Sequence, residues 1–501
     1  MRRSLWLAVA LSLPAVVGMF WALSCASTGN AAVPARGVRP LAERLEEVIQ
    51  SGALRASRVS ALVVRESDGQ VLFAHHPDRP MKPASNMKIL TAIAALDQFG
   101  PTHRFETLAL SPRPPDANGA IETLFVRGGG DPVLNSEDWW RFSADLAMRG
   151  LRRVSGDLVL DDSLFDRQRW HPNWGRTSSR AYHGPVGALT ANYGQFAVVV
   201  GPGLRPGDPV SVIVDPPVPY LPIDNQAVTI PAAGRGKTSL VVDRAAGHGV
   251  ELVTVTGSLR AGSPPKTYYR SVLDPTRYAG AVLRLQLAAL GIRVDGSVRV
   301  GRAPTREQGY ELLAFKGRPL AEIVRLFVKF SNNPIAETLV KQMGVAAGGA
   351  PGSWQTGVPA VRARLEALGL LGQGTVLVDG SGLSYDNRVS PRTLVEALRV
   401  AGSSFKFGSE LVSALPIAAE DGTLEKRAGS SIGEVRAKTG LLNGVTSLSG
   451  YARMANGDRA VFSLLVNGYS VTDQLAIDAV DRFAAELVRP EGELLPAGIA
   501  R

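Results

Sequence analysis

In the stretch PASNMKIL, Pro83 to Leu90, a hydroxyl at Ser85 and an amine at Lys88 stand three residues apart. That spacing puts two side chains on one face of a helix. A serine so placed can attack a carbonyl if a neighbour takes its proton, and a lysine can take it only while its amine is neutral. Burial supplies that condition, because desolvation disfavours the ammonium. The same letters also describe a polar helix start followed by an exposed lysine, so the rest of the chain must decide. The pattern recurs at Ser263–Lys266 and Ser403–Lys406. Pro264 biases Ser263 away from helical geometry, and Ser403 comes after the chain's only S-x-N, Ser331 to Asn333, so the motif order is wrong for it. Only Ser85 opens a long apolar segment, SNMKILTAIAALDQFG, which reads as a buried central helix closed by Gly100.

Two further triplets carry chemistry. SNN, Ser331 to Asn333, offers a hydroxyl and an amide, and KTG, Lys438 to Gly440, offers a cation and a hydroxyl beside a glycine that permits close backbone approach. Alternatively, Ser331 and Asn333 merely cap a helix starting near Pro334, and Lys438 is a solvated strand-end charge. Other catalytic classes fit poorly. GSSIG, Gly429 to Gly433, precedes a strand, whereas a nucleophile elbow must lead into a helix. Gly128 to Gly130 lacks the G-K-[ST] of a phosphate loop and reads as a turn. There is no H-E-x-x-H, and the histidines are scattered apart from His75–His76. No metal or cofactor is expected.

The elements that must position these residues follow from periodicity. VRPLAERLEEVIQSG has helical spacing, and RVSALVVRE and GQVLFAHH form a hairpin about SDG. From about His103 to Val300 the chain turns to short strands (FETLAL, TLFVRGG, DLVLDD, AVVVG, VSVIVD, ELVTVTG), with one helix from Asp274 and a strand RVDGSVRVG. From Pro319 it is helical again, through PLAEIVRLFVKFSNNPIAETLVKQMG and GVPAVRARLEALGL. It closes with a meander, IGEVRAKTG, VTSLSGYARMANG and RAVFSLLVNG, and a final helix, VTDQLAIDAVDRFAAELV. Strands near both ends imply one α/β domain built from both termini, with the β-rich middle inserted.

The 501-residue chain carries a net charge of +10. It has no dense Lys/Arg run interleaved with aromatics, so nucleic acid is not an expected partner. Arg2 and Arg3 precede an uncharged run from Ser4 to Asn30, the grammar of an export signal or of a retained membrane anchor. The expected location is extracytoplasmic, in the periplasm or cell envelope, with membrane association possible through this segment. Cys25 is the chain's single cysteine, so the exported body has neither a thiol nucleophile nor a disulfide. In ALSCAS it loosely matches a lipidation site; a small apolar residue there is the alternative.

S-x-x-K, S-x-N and K-T-G in that order make up the signature of penicillin-binding proteins and β-lactamases. With GGGDPVL, SGDLVLDDSLFD, DGSGLSYDNRVSP and DGTLEKR, the chain resembles the class C low-molecular-mass penicillin-binding proteins, the D-alanyl-D-alanine carboxypeptidase/endopeptidases. The resemblance implies an α/β (α+β) penicillin-recognising serine transferase domain, an antiparallel sheet flanked by helices, at 38–105 and 305–490. It implies two inserted β-rich domains, 106–187 with 285–304, and 188–284, between a leader at 1–32 and a tail at 491–501. It implies an acyl-enzyme on Ser85, formed with peptidoglycan stem peptides or with β-lactam inhibitors. Lys88 is the expected base, Ser331 the proton relay, and Asn333 the holder of Lys88 and the substrate amide. Lys438 and Thr439, beside Gly440, would face the terminal carboxylate, and the backbone N–H groups of Ser85 and Leu441 would form the oxyanion hole. Asp161, or alternatively Asp162, and Phe165 are candidates for binding the stem-peptide side chain, with a turn-capping Asp as the plain alternative. Tyr385 stands where relatives often carry Arg. A β-lactamase is the runner-up, though no E-x-x-L-N lies between Ser331 and Lys438; a non-catalytic wall-binding protein is the third reading.

Overall fold

The computed structural model describes residues 39–490; the leader with Cys25 and the tail lie outside the described residues. Both ends of the described chain build one sheet. Strands β1 (Arg58–Arg65) and β2 (Val71–His75) form the expected hairpin, and β3 (Val435–Leu442), β4 (Val445–Arg453) and β5 (Arg459–Asn467) form the meander. The order is β3-β4-β5-β1-β2, antiparallel throughout. The two termini join where β1 pairs β5, from Arg58↔Asn467 to Arg65↔Ala460.

The β1 run is apolar at nearly every position because helices cover both faces of the sheet. Val59, Ala61 and Val63 pack with α1 (Leu41–Ile49) and the final helix, Asp473–Val488, while Leu62 and Val64 join a larger core around α2 (Met87–Phe99). This is the two-residue alternation of a strand, applied to two buried sides. Helix α2 is buried at every residue from Met87 to Leu96, which explains a sequence apolar almost all round. Two helices flank it, apolar-striped α3 (Leu320–Phe330) and α4 (Asn333–Gly348), buried on all sides from Asn333 to Gly344, followed by α5 (Trp354–Ala367) and α6 (Pro391–Gly402).

The long helical run after Pro319 is broken at the SNN triplet. Ser331 ends α3 in the left-handed region, φ 58°, and Asn332 caps α4 by accepting the Ile335 N–H at 3.1 Å, with Pro334 in the first turn. Proline favours that position because its missing N–H would have had no helical partner there.

The inserted segment differs from a purely β-rich reading. Strands Glu106–Ser111, Leu124–Arg127, Leu158–Asp161, Val298–Val300 and Tyr310–Lys316 make one mixed sheet. A helix at Ser136–Met148, with an Asn135 capping box, shares a core with that sheet and with helix Pro275–Ala289. Gly280 brings the second helix against Leu160 and Val298, so a boundary at 284 cuts a helix that belongs with the first insert. Pairing of 310–316 with 106–111 likewise carries the return to the domain built from both termini past 305. RVDGSVRVG is not one strand: Arg293–Val294 and Val298–Val300 lie in different sheets on either side of Asp295–Gly296. Three-stranded sheets at 120–121, 153–154 and 293–294, at 195–201, 211–215 and 266–271, and at 223–225, 241–246 and 251–256, with a two-stranded pair at 228–230 and 258–260, make up the rest of the described strands. Among the described residues no helix is long and apolar enough to cross a membrane.

Because Ile93 is fully buried at the centre of α2, Ile93→Ala is expected to lower unfolding stability by about 2–5 kcal/mol, read as a lower denaturant midpoint with unchanged slope.

Candidate active site

Ser85 lies in a 3-10 turn, Ala84–Asn86, that runs into α2. Ala84 holds φ at 46°, a region unfavourable for a residue with a Cβ, and the turn is braced from two sides. At Gly382 any Cβ would fall 1.8 Å from the Ala84 carbonyl oxygen, and at Gly440 a Cβ would lie 2.1 Å from Ser447 Oγ and 3.0 Å from the Pro83 oxygen. Ser447 Oγ donates to that Pro83 oxygen at 2.8 Å, and Asn86 Nδ2 donates to Ser449 Oγ at 3.0 Å. Gly440 therefore serves first to let β3 press against the Ser85 turn.

Lys88 is entirely buried beneath half-exposed Ser85. Its Nζ donates to Ser85 Oγ at 3.1 Å, Asn333 Oδ1 at 2.6 Å and the Ser381 carbonyl at 2.7 Å. Burial lowers its pKa to about 7, partly opposed by Asp379 and Glu337. Asn333 Nδ2 is fixed in turn by the Tyr182 carbonyl at 2.9 Å, a contact from the insert.

Since Asn332 is the α4 cap, the Ser331 and Asn333 side chains are left for the cleft. Ser331 Oγ accepts from Lys438 Nζ at 2.9 Å. Lys438 also donates to the Thr439 carbonyl at 2.8 Å, and Thr439 Oγ1 donates to Thr423 Oγ1 at 2.7 Å. Burial holds the Lys438 amine well below the usual lysine range, and the nearby charges of Lys88 and Arg427 push the same way. Leu441 is half-exposed on edge strand β3. Ser85, Lys88 and Asn333 thus form one chain of contacts and Ser331, Lys438 and Thr439 a second, and the SNN backbone joins the two.

The rival serine–lysine pairs do not meet: Ser403 Oγ donates to the Val400 carbonyl while Lys406 reaches the Asp97 carbonyl, and Lys266 begins an insert strand. Asp161 is also elsewhere. Its oxygens accept the Ser163 and Ala303 amides at 2.9 Å each, so it caps a turn. Asp162 accepts the Leu189 amide at 2.8 Å and pairs with Arg169, and Phe165 is buried in the core. These residues line a cavity that shares no residue with the cleft beside Ser331. Tyr385, by contrast, borders β3: its hydroxyl accepts the Asn443 amide at 3.0 Å. Sequence reasoning did not assign roles to Ser381, Glu337, Asp379 or Thr423. Three of them stand in DGSGLSYDN and DGTLEKR, and Glu337 lies one turn beyond Asn333 on the same face of α4.

An antiparallel sheet backed by a buried α2, with a serine at the helix start and a lysine on the edge strand, is the layout of penicillin-recognising serine enzymes. Residues 41–487 match the D-Ala-D-Ala carboxypeptidase 3 (S13) family, to which this chain belongs. It is 37% identical over 473 residues to a D-alanyl-D-alanine carboxypeptidase of Actinomadura sp. (strain R39), covering 91% of this chain and 86% of the relative. The crystal structure of penicillin binding protein 4 (dacB) from Haemophilus influenzae superposes with a TM-score of 0.74 at 27% identity, over 88% of this chain and 97% of that one. The same protein complexed with a novel β-lactam gives 0.70 at 28% identity, over 89% and 98%.

Gly440→Ala should force β3 from the Ser85 turn. It is expected to cost about 1–3 kcal/mol by overpacking and to slow β-lactam acylation of the still-folded protein, measured by melting and by stopped-flow labelling.

Proposed function

We propose that this protein is a serine-type D-alanyl-D-alanine carboxypeptidase, DD-endopeptidase, or both, acting on peptidoglycan stem peptides through an acyl-enzyme on Ser85, which β-lactams form as well. The observation that carries this reading is the buried Lys88 amine 3.1 Å from Ser85 Oγ, with its pKa lowered to about 7. An ordinary lysine is neutral in roughly one molecule in 2,500 at pH 7; near 7, about half are. Neutral Lys88 takes the Ser85 proton as Oγ attacks the D-Ala-D-Ala carbonyl. The backbone N–H groups of Ser85 and Leu441 receive the developing oxyanion. Ser331 relays the proton to the departing amine, and water then hydrolyses the ester.

Lys438 and Thr439 suit the terminal carboxylate of the substrate. An arriving anion raises the pKa of a desolvated amine, so binding and protonation of Lys438 go together. Asn333 holds Lys88 and offers its amide beside the cleft. The leader grammar places the enzyme outside the cytoplasm, where peptidoglycan lies, and membrane association through that leader follows if it is retained.

The test is to incubate the exported body with a fluorescent penicillin and digest it. Label is expected on the peptide carrying Ser85 and absent from Ser85→Ala; label on any other peptide sinks the assignment. D-Ala release from a D-Ala-D-Ala peptide is expected to exceed nitrocefin turnover, and fast nitrocefin turnover alone would make the protein a β-lactamase. Cross-linked muropeptides separate endopeptidase from carboxypeptidase action.

A further inference from the structure

The contacts that hold Lys88 lead to a second buried group. Of its three acceptors, the Ser381 carbonyl belongs to a loop, and a loop carbonyl aims an amine only if the loop is fixed. Two carboxylates fix it. Glu337, fully buried on α4, accepts the Ser381 N–H on Oε1 at 2.7 Å, and on Oε2 the Gly380 N–H at 3.2 Å and the Trp354 indole N–H at 2.7 Å. Asp379 accepts the Gly382 and Ser384 amides at 2.7 Å each, the Asn387 amide group at 2.8 Å and the Trp174 indole at 2.8 Å. The Gly380 carbonyl accepts from Thr91 Oγ1 at 2.7 Å, one turn along α2 from Lys88.

We propose that Glu337 is a positioning residue for acylation: by holding the Gly380 and Ser381 amides it aims the Ser381 carbonyl at the Lys88 amine. Helix α4 then sets two of the three Lys88 contacts, Asn333 directly and Ser381 through Glu337, from positions four residues apart on one face. Both Glu337 oxygens are occupied by N–H donors, so it is not a deacylation base. A purely packing role needs no charge; a carboxylate fits this position because it can accept three N–H groups at once on two oxygens, which a carboxamide with one acceptor oxygen does not match.

The carboxylate also acts through its charge. The ionisable groups facing it are Lys88 from α2, Asp379 from the loop, and, across the Trp354 ring, Lys341 with Nζ 4.0 Å from the ring centroid and His171 with ring centroids 5.2 Å apart. Burial, reinforced by Asp379, pushes the Glu337 carboxyl up, while the N–H groups of Ser381, Trp354 and Gly380 that it accepts pull it back toward the ionised form. Its negative charge favours the Lys88 ammonium, opposing the desolvation that lowers it. Removing the charge therefore lowers the Lys88 pKa and moves the acid limb of the acylation profile to lower pH.

This inference rests on Lys88 as the base for Ser85. The experiment measures the second-order rate of acylation by a fluorescent penicillin against pH, with the labelled residue mapped and folding checked by circular dichroism. E337Q is expected to lose about 10- to 100-fold in rate, the scale of a misplaced reacting group, and to shift its acid limb to lower pH with Ser85 still labelled. E337D, which keeps the charge and shortens the reach, is expected to lose rate with the limb in place. Wild-type rate and limb in E337Q overturn the proposal, even if melting falls. If E337Q does not fold, a wild-type rate in E337D overturns it. Label away from Ser85 would instead overturn the base assignment itself.

Discussion

An amine in water is an ammonium because water solvates the charge, and removing the water reverses the preference. Lys88 has no exposed surface, and the shift to about 7 corresponds to on the order of 5 kcal/mol of bias toward the neutral form. That bias is set by the fold. It requires α2 to be enclosed on all sides, which the helices behind the sheet and the pairing of both termini through β1 and β5 achieve. It also requires acceptors inside the enclosure, because a buried amine without partners carries a large penalty. Asn333, Ser381 and Ser85 supply them, each from a different part of the chain.

The break between α3 and α4 shows how backbone geometry delivers this chemistry. A continuous helix through SNN would bury or cap with its polar side chains. Instead Ser331 turns into the left-handed region and Asn332 takes the capping duty, so the hydroxyl of Ser331 and the amide of Asn333 both reach neighbours in the cleft. The inserted segment is also part of the site. It reaches Asn333 through the Tyr182 carbonyl and Asp379 through the Trp174 indole, so an excursion of roughly two hundred residues along the chain returns to brace one side chain that holds the base and one that holds the Ser381 loop.

Much of this was legible in the sequence. The apolar run after Ser85 reads as an enclosed helix, strands near both ends imply one shared sheet, and the order of Ser85, Ser331 and Lys438 points to one site. What periodicity could not show was how contacts distant in sequence share out the polar groups. Asp161 has the charge for a substrate ammonium and also holds two amides, and Phe165 lines the same cavity while buried in the core, so their second duty as turn cap and core residue was invisible locally. Glu337 looked like any charged residue on a helix, because nothing local reveals that a loop forty residues later brings its amides to it. A return at 305 takes no account of strand 310–316, whose partner 106–111 alone shows where it belongs.

The most direct measurement is the titration of Lys88 itself, by NMR of protein carrying carbon-13 at lysine Cε, with the resonance assigned by its loss in Lys88→Arg. A midpoint near pH 7 is the result that a buried, hydrogen-bonded base demands. A midpoint near 10.4, the value of a lysine in water, would contradict it and return Ser85 and Lys88 to an ordinary helix start.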